Sequence, residues 1–96
     1  MSLSLTPRQR AELKARAHSL EPVVQVGANG ASEAVLLEVE KALTAHELIK
    51  VRLGGADKSD RAELTAQLTG RTGAAAVQNV GRILVLWRPR PEDDEG

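Results

Sequence analysis

Apolar residues recur along this 96-residue chain with two alternating periods, one helical and one strand-like, and the switches between them predict seven elements. The first is a helix in which Leu13, Ala17 and Leu20 fall at helical spacing. Thr6 can cap it, Pro7 suits its first position, and Gln9 completes a Thr-x-x-Gln capping box. Pro22 disfavours helical geometry at Glu21 and ends it. Val23 to Val26 then predicts a strand. A second helix is predicted from Ser32 to about Ala45, with Ser32 as N-cap and Glu33 at the positive helix end. Its apolar face is Val35, Leu36, Val39, Ala42 and Leu43. Leu48 to Leu53 predicts a second strand, ended by Gly54-Gly55. Asp57 to about Arg71 predicts a third helix, with Gly73 as C-terminal cap. Ala75 to Val80 and Ile83 to Arg88 predict a hairpin closed at Gly81-Arg82, a Gly-first loop of type II′. Every residue from Ile83 to Trp87 is apolar, the pattern of a central strand. The order is α/β: a helix followed by β-α-β-α-β-β.

Between the first strand and the second helix lies Gly27-Ala28-Asn29-Gly30. A GxxG loop here turns tightly, carries little side-chain bulk, and leaves N–H groups of a helix N-terminus pointing outward. That geometry suits the phosphates of a nucleic-acid backbone. A plain strand-to-helix turn has the same sequence, so the neighbouring charges decide its meaning.

Net charge is zero, which argues against a nucleic-acid partner until its distribution is considered. Residues 92–96 carry four acids and no base; without them thirteen bases face nine acids, a body charge of +4. Residues 1–90 read as one mildly basic domain, and 91–96 as an acidic, disordered tail that could also compete for the basic surface. Arg10, Lys14 and His18 share one stripe of the first helix. Arg10 and Lys14 have no acid at helical spacing, unlike Arg8 and Arg16, which flank Glu12. Lys50 and Arg52 alternate with Ile49, Val51 and Leu53, and would sit on the open face or rim of a two-layer fold. The one aromatic residue, Trp87, fits packing at a strand end better than stacking on a base.

Catalysis is hard to build here. The two histidines, His18 and His46, fall at helix C-termini, where they serve as caps. No metal-ligand spacing appears and there is no Cys, so no cofactor or metal is expected and an intracellular life is favoured. No apolar run would cross a membrane and no signal-peptide pattern is present, so the expected location is cytoplasmic.

Four segments together resemble the CRM domain, whose bacterial stand-alone members are the YhbY-like proteins. They are Leu5 to Arg10, Ala17 to Gly27, Glu47 to Leu53 and Val85 to Pro89, and the resemblance spans about residues 3 to 90. It implies a mixed four-stranded sheet packed on helices, similar to the C-terminal domain of translation initiation factor three. It also implies RNA binding and association with the assembling large ribosomal subunit, with the family's GxxG loop falling on Gly27 to Gly30. This chain departs from the family in two places: Ala28 and Glu21 stand where Lys is usual, which should weaken binding and flatten its salt dependence.

The expected function is therefore non-catalytic binding of ribosomal RNA precursor by a monomer. Gly27, Ala28, Asn29 and Gly30 would hold phosphates, and Arg10, Lys14, Lys50 and Arg52 would widen the contact. One alternative is a module that docks on ribosomal proteins. Another is an Alba-like DNA-binding protein, which would want a longer and more basic hairpin than Gly81-Arg82.

Overall fold

The capping box at Thr6 forms as its sequence predicts. Gln9 N–H donates to Thr6 Oγ1 at 3.1 Å and Thr6 N–H donates to Gln9 Oε1 at 3.0 Å. In this computed structural model, which describes residues 4–27, 29–54 and 57–89, the box opens helix α1, Pro7–Ala17. Then come β1 (Pro22–Val26), α2 (Glu33–His46), β2 (Leu48–Leu53), α3 (Lys58–Thr72), β3 (Ala75–Val80) and β4 (Ile83–Trp87). Ala28, Gly55 and the acidic tail lie outside the described residues.

The strand order is β1-β2-β4-β3. β1 runs parallel to β2, whereas β4 is antiparallel to both β2 and β3. β1, β2 and β3 thus share one direction, and their C-terminal ends share one edge. Both outer strands break register, β1 between Pro22 and Val24 and β3 between Ala76 and Gln78. In the hairpin that inserts β4, Gly81 has φ +58 while Arg82 is not in the positive region, as a type II′ turn requires.

The sheet has a core on each face. On one, Val24, Val26, Ile49, Val51, Leu53, Leu84 and Leu86 pack against Leu36, Val39 and Leu43 of α2 and Leu64 and Leu68 of α3. On the other, Leu48, Val77 and Val85 pack against Leu13 and Ala17 of α1, with Leu5, Leu20 and Trp87 partly buried beside them. This corrects the expectation of a two-layer fold with one open face. The physical reason lies in β4: its apolar residues point both ways, so both faces need cover. Trp87 packs at the strand end, as its position predicts.

Two polar devices lock the far edge of the sheet. Arg88 Nη1 donates to Glu40 Oε1 at 2.9 Å and to the Thr72 carbonyl at 2.8 Å, and Nη2 donates to Thr44 Oγ1 at 3.2 Å. One guanidinium thereby joins α2, the end of α3 and the end of β4. Glu47 alone reverses the chain between α2 and β2, at φ +66, a region that costs a non-glycine residue about 1–3 kcal/mol. Its N–H donates to the Leu43 carbonyl at 2.8 Å, and its carbonyl accepts from Arg88 N–H at 3.0 Å.

Helix α3 ends at Gly73, φ +76, as its sequence predicts, and it starts at an aspartate cap, Asp57. Asp57 Oδ1 accepts from Asp60 N–H at 3.0 Å and from Ser59 Oγ at 3.2 Å. The Asp60 N–H, then the Ser59 hydroxyl, hold the Asp57 carboxyl below its ordinary value. The sign follows: a depressed folded pKa gives stability that is present above the unfolded value and lost as pH falls through the folded one. The Asp57→Asn variant, which still caps, is therefore expected to lose less stability between neutral pH and the carboxylate range than the parent. Paired acid-unfolding curves followed by circular dichroism check this; identical pH dependence would show that the cap charge contributes nothing.

Candidate nucleic-acid interface

The chain leaves β1 at Val26 and enters α2 through the GxxG loop, at the edge where β1, β2 and β3 all end. Gly30 N–H donates to the Gly27 carbonyl at 3.0 Å, and Ser32 N–H donates to the Gly30 carbonyl at 2.9 Å. These two donors turn inward and shape the loop. Ser32 Oγ accepts Val35 N–H at 3.3 Å, so the first-turn N–H groups of Glu33 and Ala34 are the ones without an intrahelical acceptor. The two described glycines differ. Gly30 has φ +67 and needs to be glycine for its backbone, whereas a Cβ at Gly27 would meet nothing within 4 Å. Gly27 thus marks open space beside exposed backbone.

Neighbouring strands hold this edge together. Gly54 N–H donates to the Val26 carbonyl at 3.0 Å, and Leu53 N–H donates to the Arg82 carbonyl at 2.7 Å. The hairpin turn, the end of β2 and the start of the loop therefore lie side by side. At the α2 N-terminus Glu33 faces Arg71 of α3 at 3.5 Å; both are exposed, so the pair is weak. Glu33 complements the helix end as expected, yet its charge opposes an anionic ligand at that spot.

The cations fall on the α1 face of the sheet. Strand alternation puts Lys50 and Arg52 on the same side as Leu48, which packs on α1. Register places Arg52 beside Gln25 of β1 and Ile83 of β4, two positions before the loop. Lys50 lies about 7 Å back along the strand. There it shares a groove of about 340 Å³ with Lys14 and His18 of α1. The helix and the sheet, which the sequence leaves as separate candidates, form one surface running from Lys14 through Lys50 and Arg52 to the loop.

Arg10 does not belong to it in the same way. Its Nη1 donates to the Ala76 and Val77 carbonyls at 2.8 and 2.7 Å. This corrects the inference that an arginine without an acid partner is left for a ligand: the break in β3 register presents two carbonyls, and Arg10 takes both. The stripe Arg10, Lys14, His18 thus divides into an anchor and two groove residues. Sequence reasoning missed Gln25, Gln78 and Arg82 at this surface and gave His18 only a cap. His18 does cap α1, and the helical stripe was the signal for its place beside Lys14.

Comparison with known proteins gives one consistent picture. A family model described as the CRS1 / YhbY (CRM) domain matches residues 5–88. A Haemophilus influenzae protein named as an RNA-binding protein is 47% identical over 89 residues, covering 93% of this chain and 90% of that one. A candidate RNA-binding protein of Pseudomonas aeruginosa is 38% identical over 93 residues, covering 97% and 89%. The solution structure of a candidate RNA-binding protein from Staphylococcus aureus is similar at a TM-score of 0.81 and 32% identity over 96% of each chain.

The geometry yields two expected outcomes. Arg10→Ala should lower stability by about 1.5–3 kcal/mol, because two partly buried carbonyls lose a charged donor; a denaturant titration measures it, and an unchanged midpoint would mean the guanidinium is not holding β3. The glycines should separate: Gly30→Ala costs roughly 1–2 kcal/mol from its positive φ, while Gly27→Leu melts with the parent. If Gly27→Leu unfolds the protein instead, the space beside Gly27 is not open.

Proposed function

This chain belongs to the CRS1 / YhbY (CRM) domain family, and on that premise we propose that it is a non-catalytic RNA-binding protein that engages ribosomal RNA precursor during assembly of the large ribosomal subunit. The observation that carries the reading is the surface from Lys14 to the GxxG loop. Among the described residues, the side chains of Lys14, Lys50 and Arg52 make no ion pair or side-chain hydrogen bond. Three cations without acid partners, in line with an uncovered loop of small residues, are an electrostatic footprint for a phosphodiester backbone. The names of the relatives point to the same ligand.

In this reading the backbone around Gly27, with Asn29 beside it, approaches one phosphate closely. Arg52 takes the next, and Lys50 and Lys14 those that follow. Ala28 contributes no charge of its own, so the cations on the strand carry more of the binding than a lysine in the loop would require. Arg10 acts indirectly, by pinning α1 to β3 and so fixing Lys14. The protein acts as a single chain in the cytoplasm, where ribosomes are assembled; among its described residues no helix is long and apolar enough to cross a membrane.

The decisive experiment is a crosslinking-and-sequencing map of RNA bound in cells. Enrichment of large-subunit ribosomal RNA precursor is expected; even recovery across transcripts would remove the ribosomal assignment. In vitro, neutralising Lys50 and Arg52 together (Lys50→Gln with Arg52→Gln) should make the slope of log affinity against log salt shallower by roughly one to two units. Gly27→Leu should weaken binding at least about tenfold, or about 1.4 kcal/mol, without loss of fold. An unchanged slope and affinity in both variants would place RNA on another surface.

A further inference from the structure

The groove between α1 and the sheet is more than an extension of a phosphate track. Its floor is apolar: Ala17, Val80, Ile83 and Val85. Its rim is polar: Lys14, His18, Lys50 and Gln78. Val80 is 59% exposed, so apolar surface faces water in a place flanked by two amines. Among the described residues the Gln78 amide makes no hydrogen bond, although it stands half-buried at the register break of β3. A track that bound phosphates alone would need neither the aliphatic floor nor the amide.

From these residues we propose that the groove receives one unpaired nucleotide of the bound RNA, its base lying on the aliphatic floor and its edge read by Gln78. This inference rests on the RNA-binding reading above. The groove volume of about 340 Å³ is at the small end of ligand pockets, the right order for one base with its sugar and too small for a stacked pair. The base leaves water for Val80 and Ile83, and its burial is favourable without an aromatic partner. Gln78 offers one donor and one acceptor side, the pattern that pairs with a base edge carrying both. Lys14 and Lys50 flank the opening and take the phosphates on either side, which joins the nucleotide to the strand cations. A base in a duplex is stacked and paired and cannot enter such a groove, so the bound RNA is single-stranded at this point.

The test uses the whole chain and synthetic RNA. Single-stranded homopolymers of roughly 12 nucleotides, each of the four bases, and a blunt duplex of the same length are titrated by fluorescence anisotropy at one salt concentration. The wild-type protein is expected to bind its preferred single strand at least about tenfold more tightly than the duplex, and to separate the best from the worst base by at least about threefold. Gln78→Leu, which removes the amide, should erase the base preference and leave the salt slope unchanged. Equal binding of duplex and all four single strands by the wild type overturns the proposal and needs no variant. A folded Gln78→Leu that keeps the base preference also overturns it. These results are distinct from failure of the RNA-binding reading, in which the wild type binds none of the five probes even at low salt.

Discussion

The structure depends on the burial of β4 on both of its faces. Leu84 and Leu86 point to one side and Val85 to the other, all three buried, and the strand sits between β2 and β3. A strand of this kind requires cover above and below. α2 and α3 supply it on one side. On the other, α1 is the only described helix, and its short apolar stripe of Leu13 and Ala17 reaches part of the sheet. The uncovered part is the half nearest the C-terminal ends of β1, β2 and β3. That half carries Arg52 and leads to the GxxG loop. The candidate interface is thus the area that one short helix cannot reach.

The same arrangement gathers the few free charges at the candidate interface. The body of the protein is only mildly basic, and Glu33 adds an acid at the very helix end that would attract a phosphate. What concentrates the positive charge is position. Lys14 comes from a helix and Lys50 and Arg52 from the strand beneath it, and parallel pairing of β1 with β2 sets Arg52 beside the residue before Val26. Cations from distant parts of the sequence become neighbours through the topology.

Much of this was legible in the sequence because it is set by local chemistry. Thr6 and Ser32 cap where hydroxyl oxygens meet free N–H groups, Gly73 and Gly81 supply positive φ, and both limits of β2 follow from apolar alternation. Adding the doubly apolar pattern of β4 identified a central strand. What remained hidden depends on distant partners. Arg10 meets carbonyls 66 and 67 residues away, at a register break that no local pattern marks. The α1 cover on the sheet was hidden for the same reason, since Leu13 and Ala17 declare an apolar face without naming its mate. Gln78 and Gln25 read as ordinary polar strand positions until the neighbouring strands are in place. Glu47 gives no sign of its positive φ, because nothing in a glutamate predicts it; one residue between α2 and β2 simply has to make the turn.

The two register breaks bear on how the protein behaves when crowded. An open sheet has two free edges, and a regular edge strand is a template for another chain. Here β1 is interrupted beside Pro22, which has no N–H to offer, and β3 is interrupted where the Arg10 guanidinium already occupies two carbonyls. Neither edge presents an unbroken row of backbone partners. A small protein concentrated on a long polyanion meets many copies of itself at close range, and these blunted edges oppose sheet-to-sheet polymerisation while the loop and groove remain accessible.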